Sequence, residues 1–397
     1  MKILAVCQYY TPEPVRFPDF CEELVRRGHS VTVLSGVPNY PMGVTYPGFE
    51  HRQNRTQDLG GVRVLRCATV PRGTRAGGRL LNYFSFPLSS WLRAGRIQGD
   101  FDVVFVNQQS PVMMAWPAIR YARKHRKPVL MYCMDLWPDS LRAGGMSESS
   151  PVYLLFRRIS RKIYRSMDRI LVTSRSFTDY LTGSFGIPPE RIDYLPQYAE
   201  TIFEEAEPSV EQKKTVDLTF AGNIGTAQSV ETVIQAARLA GDSRLRWHIV
   251  GEGSDLARLE QLAADLPQVI FHGRKPLDEM PAIYARSDAM LVTLMKDPVL
   301  SLTLPGKVQT IMAAGKPMLC AADQETALIV READCGCCVP AEDAEALARA
   351  ADAFAASNDH ERLGANARSY YQSHFTRNSF MDRLEQELRR LQKGSAG

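Results

Sequence analysis

Short apolar runs alternate with helical patterns along almost the whole chain. In the first half they are Ile3 to Cys7, Val31 to Leu34, Val62 to Leu65, Val103 to Val106, Val129 to Cys133 and Ile170 to Thr173. Near-continuous apolar stretches of this length suit parallel strands buried on both faces. The rhythm resumes at Leu218 to Ala221, Trp247 to Val250, Val269 to Phe271, Ala289 to Thr293 and Met318 to Ala321. It predicts an α/β fold of two Rossmann-like domains in tandem. The 397 residues agree, being too many for one core. The join is expected within Pro196 to Thr215, where Gln, Glu and Lys crowd a stretch without strand character. An amphipathic stretch from Ser379 to Leu391 reads as a helix crossing back to the first domain. The expected division is therefore 1–200, 201–378 and 379–397.

Two glycine-rich turns interrupt the second half. The run Val216 to Phe220 leads into Ala221-Gly222-Asn223-Ile224-Gly225 and then a helical pattern from Val230 to Leu239. Strand, glycine turn and helix form the doubly wound arrangement that binds nucleotides at strand C-terminal ends. The other is Leu302 to Pro317, with Pro305-Gly306-Lys307 opening a short helix before Ala313-Ala314-Gly315-Lys316-Pro317. A helix start with a lysine in its first turn offers free N–H groups and a cation to a phosphate. Either turn alone is ordinary punctuation. Together, and with Lys307, they favour a nucleoside diphosphate site.

The net charge of +4 hides an asymmetry: residues 1–200 carry 27 Lys and Arg against 16 Asp and Glu, and the remainder 21 against 28. A basic half suits an anionic partner. Its centre is Leu59 to Gly99, free of acidic residues, where Arg63, Arg66, Arg72, Arg75, Arg79, Arg93 and Arg96 are interleaved with Tyr83, Phe84, Phe86, Trp91 and several leucines. Basic residues with exposed aromatics describe an interfacial membrane segment; a core helix with a solvated arginine face is the plainer alternative. The expected membrane contacts are Arg72, Arg75, Arg79, Phe84, Trp91 and Arg93. No nucleic-acid-binding motif accompanies the arginines, so a nucleic-acid partner is not expected. No stretch approaches a membrane-spanning helix, and the apolar start of the chain is too short for a signal peptide. The eight cysteines, three of them clustered at Cys335, Cys337 and Cys338, have no histidine at a zinc-ligand spacing. Reduced cysteines, no bound metal and a cytoplasmic location are the expectation.

The chain resembles the family 4 glycosyltransferases of the GT-B fold, and within them the N-acetyl-L-fucosamine transferases of lipopolysaccharide and capsule assembly. The resemblance rests on Gln8-Tyr9-Tyr10-Thr11-Pro12-Glu13, Gly28-His29-Ser30-Val31-Thr32-Val33, Pro38-Asn39-Tyr40-Pro41, Asp135-Leu136-Trp137-Pro138-Asp139-Ser140 and Leu195-Pro196-Gln197-Tyr198. It continues through Gly222 to Gln228, Val250-Gly251-Glu252-Gly253 and Pro305 to Pro317. What it implies is two Rossmann-like domains facing across a cleft, donor on the second and acceptor on the first. It also implies retaining transfer from a nucleotide sugar without a metal. The expected donor is a UDP-sugar, an N-acetylated deoxyhexose such as L-FucNAc. The expected acceptor is a saccharide on polyprenyl diphosphate at an anionic membrane surface, and the enzyme peripheral on the inner face of the plasma membrane. No cofactor beyond the donor substrate is implied.

The resemblance supplies site residues, with departures. The family's Glu-x7-Glu pair falls at Leu302 and Thr310, and its arginine and lysine after the first glycine turn fall at Asn223 and Gln228. Lys307 is then the candidate diphosphate cation. The donor set is Gly222, Asn223, Ile224, Gly225, Gln228, Gly251, Gly273, Arg274, Pro305, Gly306, Lys307, Thr310 and Arg16. The acceptor set is Tyr9, Tyr10, Asn39, Tyr40, Gln108 and Gln109. Asp135, ending an apolar strand, is the candidate carboxylate for the acceptor hydroxyl or the donor sugar; Lys307, as the diphosphate cation, is the other catalytic candidate. A loop-anchoring aspartate is the alternative. Two other functions stay open: a GT-B nucleotide-sugar epimerase, and a non-catalytic nucleotide-sugar-binding partner of another transferase.

Overall fold

The computed structural model describes residues 1–71, 76–142, 145–205 and 214–394, without the side chains of 76, 77, 79 and 80. It forms two compact units, 1–195 with 381–397 and 196–380. Strands of the first unit are β1 (Lys2–Val6), β2 (Ser30–Gly36), β3 (Thr56–Leu59), β4 (Val62–Cys67), β5 (Val103–Gln108), β6 (Val129–Cys133), β7 (Arg169–Val172) and β8 (Ile192–Tyr194). Among the described residues they make one sheet, ordered β3-β4-β2-β1-β5-β6-β7-β8. Every pairing is parallel except β3 with β4. β3 escaped the apolar reading because Thr-Gln-Asp-Leu at a sheet edge needs no buried face. It is fixed instead by Gly60 and Gly61 (φ +58° and +79°), the two positive-φ residues of a tight hairpin.

The second unit holds β9 (Val216–Ala221), β10 (Leu245–Val250), β11 (Val269–Gly273), β12 (Ala289–Thr293), β13 (Met318–Ala321) and β14 (Gly336–Val339). Their order is β11-β10-β9-β12-β13-β14, all parallel. Order reverses between β9 and β12, where doubly wound sheets open a crevice beyond their strand ends. β14 was missed in the sequence because it is built of the cysteine cluster. Cys337 and Cys338 pair in register with Leu319 and Cys320, so their spacing is that of an edge strand. Residues such as Phe220, Trp247, Ile249 and Leu291 fill one face of this sheet, and Val292, Val308, Met312 and Cys320 the other.

The last helix, Arg377–Gly394, enters the first unit from Met381 onward. There Asp382 and Glu385 take the Arg27 guanidinium at 2.6 and 3.1 Å, and Glu387 faces Arg169 at 2.8 Å.

Candidate active site

The second unit contains a cavity of about 590 Å³ at the C-terminal ends of β9 and β10. Glycines make it possible. Backbone hydrogen bonds lace the turns after the two strands, Gly222 N–H to the Val250 carbonyl at 3.0 Å and Ile224 N–H to that of Glu252 at 2.8 Å. Gly222 and Gly251 stand at φ +147° and +148°, a region that side chains disfavour. A methyl group at Gly251 would overlap the Gly222 carbonyl, and one at Gly253 the Ile224 carbonyl. The glycines therefore serve the approach of two backbone turns.

A methyl at Gly222 would lie 2.8 Å from Lys307 Nζ. The ammonium lies 3.9 Å from the Phe220 ring centroid, shielded from solvent and without a hydrogen-bond partner. The Phe220 ring face attracts a cation but replaces little of its hydration. Burial lowers the Lys307 pKa to about 7. Lys307 opens the helix Gly306–Ala313, whose first N–H groups have no acceptor within the helix. The helix is short and its early face is buried, which explains why a first-turn lysine points inward.

Of the expected donor residues, Gly222, Asn223, Gly251, Arg274 and Thr310 line the cavity. Ile224 does not: its side chain is in the core and its N–H and carbonyl are both used within the turns. Gln228 sits in the next short turn, where its side chain accepts from Asn223 Nδ2 at 3.0 Å. Gly225 belongs to that same loop, and Gly273 ends β11, where its carbonyl accepts the Gly251 N–H at 2.9 Å. Pro305 and Gly306 begin the Lys307 helix outside the lining. Arg16 belongs to the first unit, at the start of the helix Phe17–Arg26.

Sequence reading missed Glu200. The Thr310 hydroxyl donates to Glu200 Oε2 at 3.4 Å, and both residues line the cavity. A carboxylate thus stands beside the position where the family's glutamate is replaced by threonine. Phe203 and Tyr284, rings 4.9 Å apart, form an apolar wall.

In the first unit, Asp135 follows β6. Its carboxylate accepts the Ser110 hydroxyl, and Ser110 and Ser140 Oγ stand 3.4 Å apart. Burial raises the Asp135 pKa, opposed by hydrogen bonds from Ser110, Ser140 and the Leu136 N–H. Gln108 is fully buried and donates to the backbone carbonyls of Gln109 and Asp135 at 2.9 and 3.1 Å. Expected as an acceptor contact, it lies beneath the surface and holds the backbone of Asp135. Gln109 is half-buried, its amide 3.9 Å from Met134 sulfur.

Glu13 organises the remaining acceptor candidates. Buried, it accepts the N–H groups of Tyr10, Asn39 and Tyr40 at 2.9, 2.8 and 2.8 Å, pinning the loop after β2 to the loop after β1. Tyr40 is exposed and packs against Tyr9, ring centroids 5.4 Å apart. Tyr10 and Asn39 are placed beneath the surface. Tyr10 is wholly buried edge-on against Phe17, and Asn39 spends its amide on the Val37 carbonyl.

An Asp-x-Asp triplet, Asp100-Phe101-Asp102, stands just before β5. It does not converge on a site: Asp100 pairs with Lys127 at 2.7 Å and Asp102 accepts the Lys2 N–H at 2.7 Å. Among the described residues no three His, Cys, Asp or Glu side chains cluster as metal ligands would.

Of the expected membrane contacts, Arg72 and Arg75 lie outside the described residues, as does the side chain of Arg79. Phe84 is half-buried, stacked on Phe156 and against Trp116. Arg93 donates to the Arg66 carbonyl at 3.1 Å. Trp91 remains exposed under the Arg120 guanidinium. No described helix is long and apolar enough to cross a membrane.

Residues 14–197 match the glycosyl transferase 4-like domain family and residues 215–357 the glycosyl transferases group 1 family. The chain is therefore a glycosyltransferase of the GT-B fold, one such domain in each unit. It is 28% identical over 83% of its length to a putative colanic acid biosynthesis glycosyl transferase, WcaI, of Escherichia coli K12, covering 85% of that protein. It is 26% identical over 75% of its length to a GDP-mannose-dependent alpha-mannosyltransferase of Mycobacterium tuberculosis, covering 72% of it. Among solved structures, HepE of Anabaena in complex with UDP and glucose superposes with a TM-score of 0.70 at 13% identity, with 98% of this chain and 99% of that one covered.

Proposed function

We propose that this glycosyltransferase moves a sugar, an N-acetylated deoxyhexose such as L-FucNAc, from UDP to a polyprenyl-diphosphate-linked saccharide in surface polysaccharide assembly. The observation that carries the donor reading is the unpartnered Lys307 ammonium behind Gly222, at the edge of a cavity walled by glycine backbone, Glu200 and Thr310. Cleaving the anomeric bond places growing charge on the β-phosphate, which fixed dipoles and cations stabilise. A diphosphate beside Gly222 gives Lys307 its counter-charge, the flexible stem carrying the ammonium out to it. The free N–H groups of the following helix add to that field. This supply of positive charge supports metal-independent chemistry. Glu200 and Thr310 offer acceptors for ribose or sugar hydroxyls.

In the first unit, Asp135 accepts or orients the proton of the attacking hydroxyl, as its raised pKa suits. Retention follows, in this reading, from attack and departure on one face of the sugar. The UDP assignment is supported by HepE, whose complex contains UDP; the relative named for GDP-mannose makes guanosine the base to test against it. Surface polysaccharide is supported by the relative named for colanic acid. Peripheral attachment to the inner face of the plasma membrane is supported by exposed Leu81, Leu88, Trp91 and Leu92 on the helix Ala76–Ala94.

Calorimetry with UDP, GDP and ADP, in magnesium and in EDTA, tests the donor reading. UDP binding that is selective and indifferent to metal is expected. Binding of GDP alone would move the donor to guanosine, and no binding of any nucleotide would overturn the reading.

A further inference from the structure

A strongly basic feature of the first unit lies at its sheet edge. A cavity of about 1060 Å³ opens between β4, the loop before β3 and the end of the helix Ala76–Ala94. Six arginines line it, Arg52, Arg55, Arg63, Arg66, Arg93 and Arg96, and no Asp or Glu does. Arg66 and Arg93 have structural partners: Arg66 reaches Gln57 at 3.0 Å and the carbonyls of Gly36 and Thr11, and Arg93 reaches the Arg66 carbonyl. The guanidinium groups of Arg52, Arg55, Arg63 and Arg96 have no hydrogen-bond or ion-pair partner among the described residues. Asp58, the cross-strand neighbour of Arg63, makes no ion pair with it.

Arg55 is the most telling of the four. Its Nη1 is shielded from solvent and bonds to nothing, a costly state for a charged donor. Burial and the nearby charges of Arg52 and Arg93 lower its pKa. The loop that presents Arg52 and Arg55 holds His51, Arg52 and Asn54 at φ +46°, +67° and +51°, conformations that side-chain-bearing residues hold only where the surroundings enforce them. A bound oxyanion relieves both the repulsion and the missing hydrogen bond, and guanidinium forks match phosphate geometry.

The cavity also has an apolar side, formed by Leu65, Leu92, Ile97 and Phe101. From Leu92 an apolar stripe continues up the helix through Leu88 to Leu81, all more than half exposed. Steps of four and seven residues keep the three on one helix face. An anionic head with a hydrocarbon tail fits both features, as a bare anion does not.

We infer that this cavity binds the phosphate headgroup of an anionic lipid, with the acyl chain lying along Leu92, Leu88 and Leu81. The site is separate from the nucleotide cavity and rests on the membrane part of the proposed function. It anchors the first unit to the bilayer.

The test is flotation of the full chain with vesicles of phosphatidylcholine alone or mixed with phosphatidylglycerol, alongside calorimetry with inorganic pyrophosphate. The wild type is expected to float only with phosphatidylglycerol. Arg55→Gln/Arg96→Gln should weaken that partitioning about tenfold or more, since each basic residue near an anionic surface contributes about a factor of five. Leu88→Ser/Leu92→Ser should weaken it as well. Phosphatidylglycerol binding unchanged in the arginine variant overturns the inference. So does pyrophosphate binding that is as tight as lipid binding and indifferent to the leucines, which would make this a site for a free phosphate. UDP calorimetry and thermal melting of each variant report on folding, and Arg52→Gln/Arg63→Gln, two exposed positions, replaces any variant that does not fold. A wild type that binds vesicles but no nucleotide would defeat the donor reading and leave this one standing.

Discussion

Thr310 and Glu200, more than a hundred residues apart in the chain, share a hydrogen bond of 3.4 Å on the wall of the cavity at the ends of β9 and β10. The pairing puts a carboxylate on that wall, one the chain supplies from far upstream of Thr310. Glu200→Gln keeps the shape and removes the charge. A hydrogen bond to a charged group is worth about 1.5–3 kcal/mol, so donor affinity should fall roughly tenfold or more with little change in thermal stability. Calorimetry with UDP and a UDP-sugar checks this; affinities equal to wild type for both would exclude Glu200 from the site.

Lys307 ties donor binding to pH. Burial lowers its pKa to about 7 in the free protein, and a diphosphate beside the ammonium raises it again. Between these two values, binding takes up a proton, so affinity should decline as pH rises above 7, by up to about tenfold per unit. Titrations at pH 8 in buffers of different ionisation enthalpy measure the uptake directly. The free protein has the opposite slope: from pH 7 to the ordinary lysine range the unfolded chain binds more protons, so stability rises with pH. Lys307→Met should abolish both slopes, weaken UDP binding by roughly 1.5–3 kcal/mol and raise stability by about 1–2 kcal/mol. A variant that binds UDP as the wild type does would show that the ammonium never reaches the phosphates.

The central strands and the glycine turns were legible in the sequence because a parallel strand buried on both faces must be apolar throughout and a close backbone approach must be glycine. The edge strands were not. Thr56–Leu59 is polar and held by its Gly60-Gly61 turn, and Gly336–Val339 is written in cysteines that mimic a ligand cluster. Cavity-lining residues were legible where backbone geometry defines them, as at Gly222 and Gly251. They were illegible where the defining contact is long-range. Nothing in the sequence brings Glu200 to Thr310 or Glu13 to Asn39, and nothing tells Tyr9, buried against the exposed Tyr40 ring, from Tyr10, buried against Phe17.

The turn after β10 should tolerate no side chain at Gly251. Gly251→Ala forces a methyl group into the Gly222 carbonyl at a backbone angle of +148°. The second unit should lose about 2–4 kcal/mol of stability, and UDP affinity should fall with it because the same backbone walls the cavity. Gly28→Ala, also at positive φ but with open space around it, is the control for strain alone and should cost about 1 kcal/mol. Chemical denaturation of both variants makes the comparison. Equal losses would mean that conformational strain, and not the approach of the two turns, accounts for Gly251.

Asp135 makes the last prediction, because its surroundings tune it without a cation. Burial raises its pKa, while the hydroxyls of Ser110 and Ser140 and the Leu136 N–H hold it down. Asp135→Asn should lower turnover by about 10²–10⁴, the usual contribution of a positioned acid or base, and leave UDP affinity within about twofold. The wild-type rate should fall on the acid side as the carboxylate is protonated, at a pH above the ordinary aspartate range. Ser110→Ala removes a donor that stabilises the charged form, so its acid limb should move to still higher pH. A merely structural aspartate would change stability in these variants without moving the limb. Rate–pH profiles of wild type and Ser110→Ala therefore decide the matter: coincident acid limbs would refute a catalytic carboxylate at Asp135.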